Sequence, residues 1–300
     1  MVLDTPAEAP PFTPWRSLGK KSCFTERSLA ETLDGGQSFR WQRNENGSWR
    51  GAWNSCLAEL RLRGDILQWR SPSHLPVLRE EVVRYLALDS SYEDIIDALP
   101  WRSDAVLSEA IQCFRGLRIL RQPLGETLFT FLLSSVKSIP QIKELCLLTC
   151  RQYGEEIIPG VHTLPTWDKL AEVSEMDLRK LKFGYRAKYV SSTAKRLVKE
   201  PNFLSTVEAA SYEDARALLM ELPGVGGKVA DCALLFGAGK LESFPVDTWI
   251  AKALAARYGL DNWKLDQLAT FGRVHFGKYA GLAQQFLFSA ERSKVQSMTD

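Results

Sequence analysis

The sequence predicts an α+β fold: an N-terminal antiparallel β-sheet followed by two mostly α-helical lobes. Three observations carry this. Residues 37–69 alternate apolar and polar side chains and are punctuated by the turn dipeptides Asn46-Gly47 and Gly64-Asp65. From Leu75 onward the apolar spacing becomes helical. Late in the chain, Glu221-Leu-Pro-Gly-Val-Gly-Gly-Lys228 joins two segments of helical period through a tight glycine turn. The expected divisions are a disordered Pro-rich lead over 1–20, a sheet-bearing unit with flanking helices over 21–122, and a helical unit over 123–300 onto which helical parts of the preceding segment pack.

Composition bounds the class. Among 300 residues, 45% are hydrophobic and 25% charged, the balance of a globular chain able to bury a core. No apolar run reaches the roughly 18 residues of a membrane span, so no membrane partner is expected. The first residues lack a secretory apolar core, and Asp4 and Glu8 oppose a presequence reading. An intracellular location is expected, nuclear in a eukaryote and cytoplasmic or nucleoid-associated in a bacterium. Cys23, Cys56, Cys113, Cys146, Cys150 and Cys232 form no Cys-x-x-Cys pair, so neither a zinc site nor an iron–sulfur cluster has its ligands and no cofactor is expected. His74, His162 and His275 read as structural or surface residues. The net charge of +2 projects no global basic field. The basic residues do cluster between Arg179 and Lys199, as a DNA face or as a merely solvated helix, while residues 80–97 lean acidic.

The elements follow in order. Phe39, Trp41, Trp49 and Trp53 mark one apolar sheet face, and Leu60 and Leu62 repeat the pattern between Leu57 and Trp69, so a small sheet is expected within about 20–72. Helices are expected from Leu75 past Leu86, from an Ser91 cap to Ala98, from Ser103 or Asp104 toward Phe114, over Leu124–Ser135, and from Ser138 to about Tyr153 with Pro140 in the first turn. Residues 154–165 read as a loop. Short helices around 167–172 and 174–181 precede a break at Phe183-Gly184. Further helices are expected over 186–199, 211–220, Lys228 onward, 247–258, 264–275 and 279–292.

The glycine turn is where the chemistry concentrates. A helix–hairpin–helix turn aims backbone amides outward at a helix N-terminus, where they can hold a phosphate without reading sequence. The bland alternative is a plain corner between two helices. Lys228 opens the second helix, in the turn where the macrodipole disfavours a cation. That placement suits an amine that must shed its proton to act as a nucleophile. An amine attacking a sugar C1′ expels the base and leaves a Schiff base, and the oxocarbenium charge that develops calls for a carboxylate. Asp247, in Pro245-Val-Asp247, is the candidate. It also fits an N-cap for the helix it precedes, and the two roles are compatible.

Leu222-Pro-Gly-Val-Gly-Gly-Lys228 with Val246-Asp247 resembles the helix–hairpin–helix glycosylase/lyase superfamily. Gly36-Gln-Ser-Phe-Arg-Trp41, Phe183-Gly-Tyr-Arg-Ala-Lys-Tyr-Val190, Tyr279-Ala-Gly-Leu-Ala-Gln284 and Leu287-Phe-Ser-Ala290 narrow the resemblance to 8-oxoguanine DNA glycosylases of the eukaryotic type, over about residues 12–292. The resemblance implies a base-excision repair enzyme that flips 8-oxoguanine out of duplex DNA, excises it and then nicks the strand by β-elimination. It implies Lys228 as Schiff-base nucleophile and Asp247 as catalytic carboxylate. Cys232 and Phe288 would sandwich the flipped base, with Pro245 beside them, Gln284 on its Watson–Crick edge and the Gly36 carbonyl accepting the N7–H that oxidation adds. Tyr185 would wedge into the stack and Arg186 reach the orphaned base. The amides of Gly224, Val225 and Gly226 would grip a phosphate, with Lys137 and Trp249 near the backbone. No catalytic metal is implied, although a structural cation at the 222–227 hairpin would fit. The expected partner is double-stranded DNA containing 8-oxoguanine, bound by a monomer.

The sequence departs from the family at three places. Val136-Lys137-Ser138 stands where a run of asparagines is usual, Gln141 where an arginine reads the opposite base, and Thr248-Trp249 where a histidine follows the aspartate. A relaxed preference for the base opposite the lesion is therefore expected. The competing readings are a helix–hairpin–helix glycosylase for another oxidised base, including an endonuclease III-like pyrimidine enzyme, and a non-catalytic DNA-binding protein. The missing four-cysteine cluster opposes the endonuclease III-like enzyme, and the Lys228/Asp247 pair opposes the non-catalytic one.

Overall fold

The computed structural model describes residues 11–19 and 21–296. A five-stranded antiparallel sheet has the order β1-β5-β4-β3-β2, with β1 (Arg16–Ser17), β2 (Trp41–Arg43), β3 (Trp49–Trp53), β4 (Cys56–Arg63) and β5 (Ile66–Arg70). Helices α1 (Glu26–Asp34) and α2 (Arg79–Tyr85) cover one face. Then come α3 (Tyr92–Asp97), α4 (Ala105–Cys113), α5 (Leu124–Leu132) and α6 (Ile139–Tyr153), a two-stranded ribbon of β6 (Glu156–Ile158) and β7 (Val161–His162), and α7 (Trp167–Glu172). The chain ends with α8 (Glu175–Lys180), α9 (Arg186–Lys199), α10 (Phe203–Ala209), α11 (Tyr212–Met220), α12 (Gly227–Phe236), α13 (Thr248–Tyr258), α14 (Leu265–Phe276) and α15 (Ala280–Gln296). No helix among the described residues is long and apolar enough to cross a membrane.

The sheet packs its tryptophans inward. Trp41 and Trp53 stack at 6.1 Å, Trp53 and Tyr85 at 4.3 Å, and Trp41 Nε1 donates to the Tyr85 hydroxyl at 3.1 Å. Gly51 faces Trp41 across the β2–β3 pair, and a Cβ there would lie 2.1 Å from the indole, so a side chain cannot fit. On the other face Glu59, 1% exposed, is clamped between Arg50 (2.7 Å) and Arg70 (2.6 Å) on the neighbouring strands. The larger core belongs to the helices, where α5 and α12 pack against each other through Phe131 and Phe236, stacked at 5.6 Å.

Four expectations need correction. The part of the lead over 11–19 is held in place: β1 pairs with β5, and Arg50 and Arg70 lie over the Phe12 ring. Residues 1–10 and Lys20 lie outside the described residues. Residues 26–34, expected within the sheet region, form α1 with Thr25 as a capping box, so Gly36 follows a helix rather than a strand. Phe39 leaves the sheet face and packs edge-on against Phe131 of α5 at 5.5 Å, because β2 begins only at Trp41. The 154–165 loop contains the β6–β7 ribbon, and α10 fills the gap before α11. The cap expected at Ser91 is present, the one expected at Ser103 or Asp104 falls on Asp104, and the helix expected from Ser138 starts there with Pro140 in its first turn.

Candidate active site

The hairpin is built by glycines where nothing else fits. Gly224 has φ +83°, and a Cβ on it would lie 2.3 Å from the Tyr189 ring of α9. Val225 is buried and closes the turn with its amide on the Leu222 carbonyl at 3.1 Å. Gly224 and Gly226 are exposed, and their amides have no hydrogen-bond partner among the described residues. The turn therefore presents free N–H groups at the head of α12. Beneath it, Asp231 of α12 is 1% exposed and accepts from the Tyr212 hydroxyl at 2.7 Å and Arg216 Nε at 3.2 Å, tying α12 to α11. Burial raises the Asp231 pKa, with Tyr212 and Arg216 opposing it.

Lys228 is half-buried in the first turn of α12 and points toward the C-terminal end of α5. Its amine donates to Ser134 Oγ at 3.0 Å and lies 5.0 Å from the centroid of the Phe131 ring. Asp247 caps α13, with Oδ1 accepting from the amides of Trp249 (3.0 Å) and Ile250 (2.9 Å). Burial raises its pKa above the ordinary aspartate value, while the Ile250 amide, the Lys228 charge and the Trp249 amide pull the other way. The capping reading of Asp247 is what the structure shows, and the carboxylate also feels the Lys228 charge. Cys232, one helical turn beyond Lys228, is buried. Its thiol is pushed up to about 12 by burial, with Lys228 opposing and Asp247 adding to the shift. Lys228, Cys232 and Asp247 therefore form one electrostatic neighbourhood, in which the thiol stays neutral.

A second set of residues arrives from far away in sequence. Gly36 has φ +102°, and a Cβ on it would lie 3.1 Å from Ile139 Cδ1 and 3.8 Å from the Phe288 ring. Gln37, fully buried, locks this segment. Its side chain donates to the Arg118 carbonyl (2.8 Å) and accepts from the Leu120 amide (3.0 Å), while its own carbonyl accepts from Gln122 (2.7 Å). Gln284 and Phe288 share a face of α15, four residues apart. A Cβ on Gly281, one turn earlier, would meet Leu235 of α12 at 2.2 Å, and this close approach draws α15 onto α12. Gln284 is 4% exposed and its Oε1 has no hydrogen-bond partner. A buried amide oxygen costs about 1–3 kcal/mol unless a water or a ligand reaches it. Pro245 is buried in the irregular segment that leads to Asp247.

The outward face is less uniform than the sequence implies. Tyr185 is 47% exposed and Val136 93% exposed, and Val136 holds φ +53°, unusual for a β-branched residue. Lys137 and Trp249 are half-buried, Lys137 just after Ser134 in sequence and Trp249 in the first turn of α13. Arg186 departs from its expected outward reach. It is 5% exposed, its guanidinium stacks on Tyr185 at 4.4 Å and it donates to the Ser135 carbonyl. Half of the basic block is paired with carboxylates: Arg179 with Glu175, Lys180 with Asp177, Lys182 with Glu144 and Arg196 with Glu221. Sequence reasoning missed Ser134, Phe131, Gln37 and Ile139. Only their neighbourhood to motif residues hinted at them.

Comparisons with known proteins show the family. Residues 23–128 match the 8-oxoguanine DNA glycosylase N-terminal domain, and residues 133–271 the HhH-GPD superfamily of base excision DNA repair proteins. The N-glycosylase/DNA lyase of Saccharomyces cerevisiae is 31% identical, over 89% of this chain and 84% of the yeast protein. N-glycosylase/DNA lyase OGG1 of Arabidopsis thaliana is 32% identical, over 95% of this chain and 86% of the plant protein. The structure superposes with a TM-score of 0.84 and 30% identity on Clostridium acetobutylicum 8-oxoguanine glycosylase/lyase in complex with dsDNA containing cytosine opposite 8-oxoG, covering 95% of this chain and 99% of that one. The chain belongs to the N-glycosylase/DNA lyase family of helix–hairpin–helix base-excision repair proteins.

Proposed function

We propose that this protein flips 8-oxoguanine out of double-stranded DNA, displaces it with the Lys228 amine and then nicks the strand by β-elimination. The observation that carries the reading is that Lys228 and Cys232 of α12 and Asp247 at the head of α13 act on one another electrostatically, with Gln284 buried on α15, the helix that Gly281 brings onto α12, and its Oε1 unpaired. The amine, having lost a proton, bonds to C1′. The glycosidic C–N bond breaks and its electron pair leaves with the base, which takes up a proton. The Asp247 charge stabilises the cationic sugar in passing. Ring opening gives an imine, and loss of a C2′ proton expels the 3′ phosphate.

Recognition is assigned to Gly36, whose carbonyl accepts the N7–H of the oxidised base. Unmodified guanine offers a bare acceptor there, and two acceptors repel. Gln284 takes the Watson–Crick edge, and Cys232 and Phe288 take the faces. A neutral thiol is a soft, apolar surface for stacking. Pro245 lines the same pocket. The amides of Gly224 and Gly226 act on a phosphate, whereas the Val225 amide, expected to share in this, is spent on the Leu222 carbonyl at 3.1 Å; Tyr185 enters the stack, and Lys137 and Trp249 flank the backbone. Residues 21–122 supply Gly36 and residues 123–300 the amine and carboxylate; the family matches at 23–128 and 133–271 support that division.

A relaxed choice of opposite base is supported by two side chains that are engaged elsewhere. Arg186 is turned onto the Ser135 carbonyl, and Gln141 serves the Ser138 amide at 3.0 Å as a capping box for α6. The test is borohydride trapping on duplexes with 8-oxoguanine opposite C, A, G or T. A covalent adduct with all four partners, within about tenfold of one another, is expected. No adduct with any of them would sink the reading, and strict cytosine dependence would sink the relaxed preference alone.

A further inference from the structure

We propose that Ser134 is a positioning residue that holds the Lys228 amine at the angle needed for attack; the proposal rests on Lys228 being the nucleophile. Ser134 follows the end of α5 and is 9% exposed. Its hydroxyl donates to the Phe131 carbonyl at 2.8 Å and accepts from Lys228 Nζ at 3.0 Å. A hydroxyl has a single proton to give. With that proton on the carbonyl, the oxygen faces the lysine as an acceptor only.

This matters for an amine more than for a cation. An ammonium donates in every direction and has no lone pair to aim. A neutral amine has two N–H bonds and one lone pair at tetrahedral angles, and only the lone pair bonds to C1′. One N–H held by Ser134 Oγ restricts rotation about the Cε–Nζ bond. The Phe131 ring, 5.0 Å from Nζ, occupies another side. The negative face of that ring attracts the second N–H and repels the lone pair, which is left facing away from α5. Holding a reacting atom in its attack geometry commonly decides factors of ten to a hundred in rate.

The support is itself rigid. Phe131 is 3% exposed, packed edge-on by Phe39 at 5.5 Å and stacked by Phe236 at 5.6 Å. Phe39 lies three residues beyond Gly36, so the aromatic group beneath the amine is in contact with the segment that carries Gly36. The Ser134 amide also bonds the Phe131 carbonyl at 3.1 Å, and the Lys137 amide bonds the Ser134 carbonyl at 3.2 Å, so the hydroxyl is set by a closed turn.

The test compares wild type, S134A and S134T as full-length chains in single-turnover borohydride trapping, on duplexes with 8-oxoguanine and with a preformed abasic site. S134A is expected to slow trapping on both duplexes by roughly 10- to 100-fold. Trapping amplitude and affinity for a duplex with a tetrahydrofuran abasic analogue should stay at wild-type values. S134T keeps an oxygen within reach and should recover most of the rate. A folding defect would lower amplitude instead of rate. S134A within twofold of wild type, or S134T as slow as S134A at full amplitude, would overturn the proposal. A wild type that forms no adduct at all would overturn the lysine reading on which it stands.

Discussion

Lys228 and Asp247 occupy positions set by their immediate neighbours, whereas Gly36, Gln284 and Phe288 are set by packing between segments distant in sequence. Lys228 stands where it does because Pro223 and three glycines end one helix and start the next. Asp247 stands where it does because it caps α13 through two amides. By contrast, the place of Gly36 depends on Gln37 bonding to Arg118, Leu120 and Gln122, and that of Gln284 on Gly281 letting α15 approach α12. The reacting groups are thus locally encoded, and the groups assigned to recognition are tertiary. A change in one set should leave the other set's step intact.

The sharpest way to break this comparison is at the amine. Lys228→Gln should abolish the trapped adduct on lesion and abasic duplexes alike. Asp247→Asn should slow base excision by about 10²-fold or more, while stability falls by under about 1 kcal/mol, since asparagine is also a good cap. Equal activity of either variant and wild type in single-turnover assays would refute the local half.

Gly36→Ala should separate the two halves. Its φ of +102° and the 3.1 Å approach of a Cβ to Ile139 predict a shifted segment and a loss of roughly 1–3 kcal/mol in denaturant unfolding. Excision of 8-oxoguanine should fall more than tenfold, with strand nicking at a preformed abasic site retained. If both activities fall together, the division between chemistry and recognition is wrong.

Gln284→Met asks the same question through stability. Removing a buried amide whose Oε1 lacks a partner should raise stability by roughly 1–2 kcal/mol, seen as a higher Tm, while excision of the lesion drops. A variant that is less stable than wild type would mean that the amide is satisfied in the free protein.

The smallest effect concerns pH. The raised Asp247 pKa means that acidification protonates it sooner than an ordinary aspartate. The acid limb of the single-turnover rate should therefore lie above about pH 3.9 and disappear in Asp247→Asn. A wild-type limb at or below that value would show that the carboxylate is not buried during reaction.

Much of the fold was legible for the same reason that the chemistry was. Ser91, Asp104, Ser138 and Asp247 announce helix starts because a cap is a bond between residues two or three apart. The hairpins at Asn46-Gly47 and Gly64-Asp65 are equally local. Helix α1 was missed because its nine residues adjoin an alternating stretch whose period dominates the reading, and the β6–β7 ribbon because strands of three and two residues carry almost no pattern. Phe39 was placed on the wrong face because alternation says nothing about where a strand begins. Its side chain follows the irregular 36–40 segment onto α5 instead.

By itself, then, the sequence determined the sheet, the order of helices, the glycine turn and the pair Lys228 and Asp247, since each depends on hydrogen bonds and backbone freedom among near neighbours. Only the tertiary structure decided that Ser134 and Phe131 would meet the amine, that Arg186 would turn inward to the Ser135 carbonyl, and that Gln284 would be buried with an unpaired oxygen. Those contacts join residues brought together by close packing of helices, and close packing depends on the fit of whole surfaces, which no short stretch of chain carries.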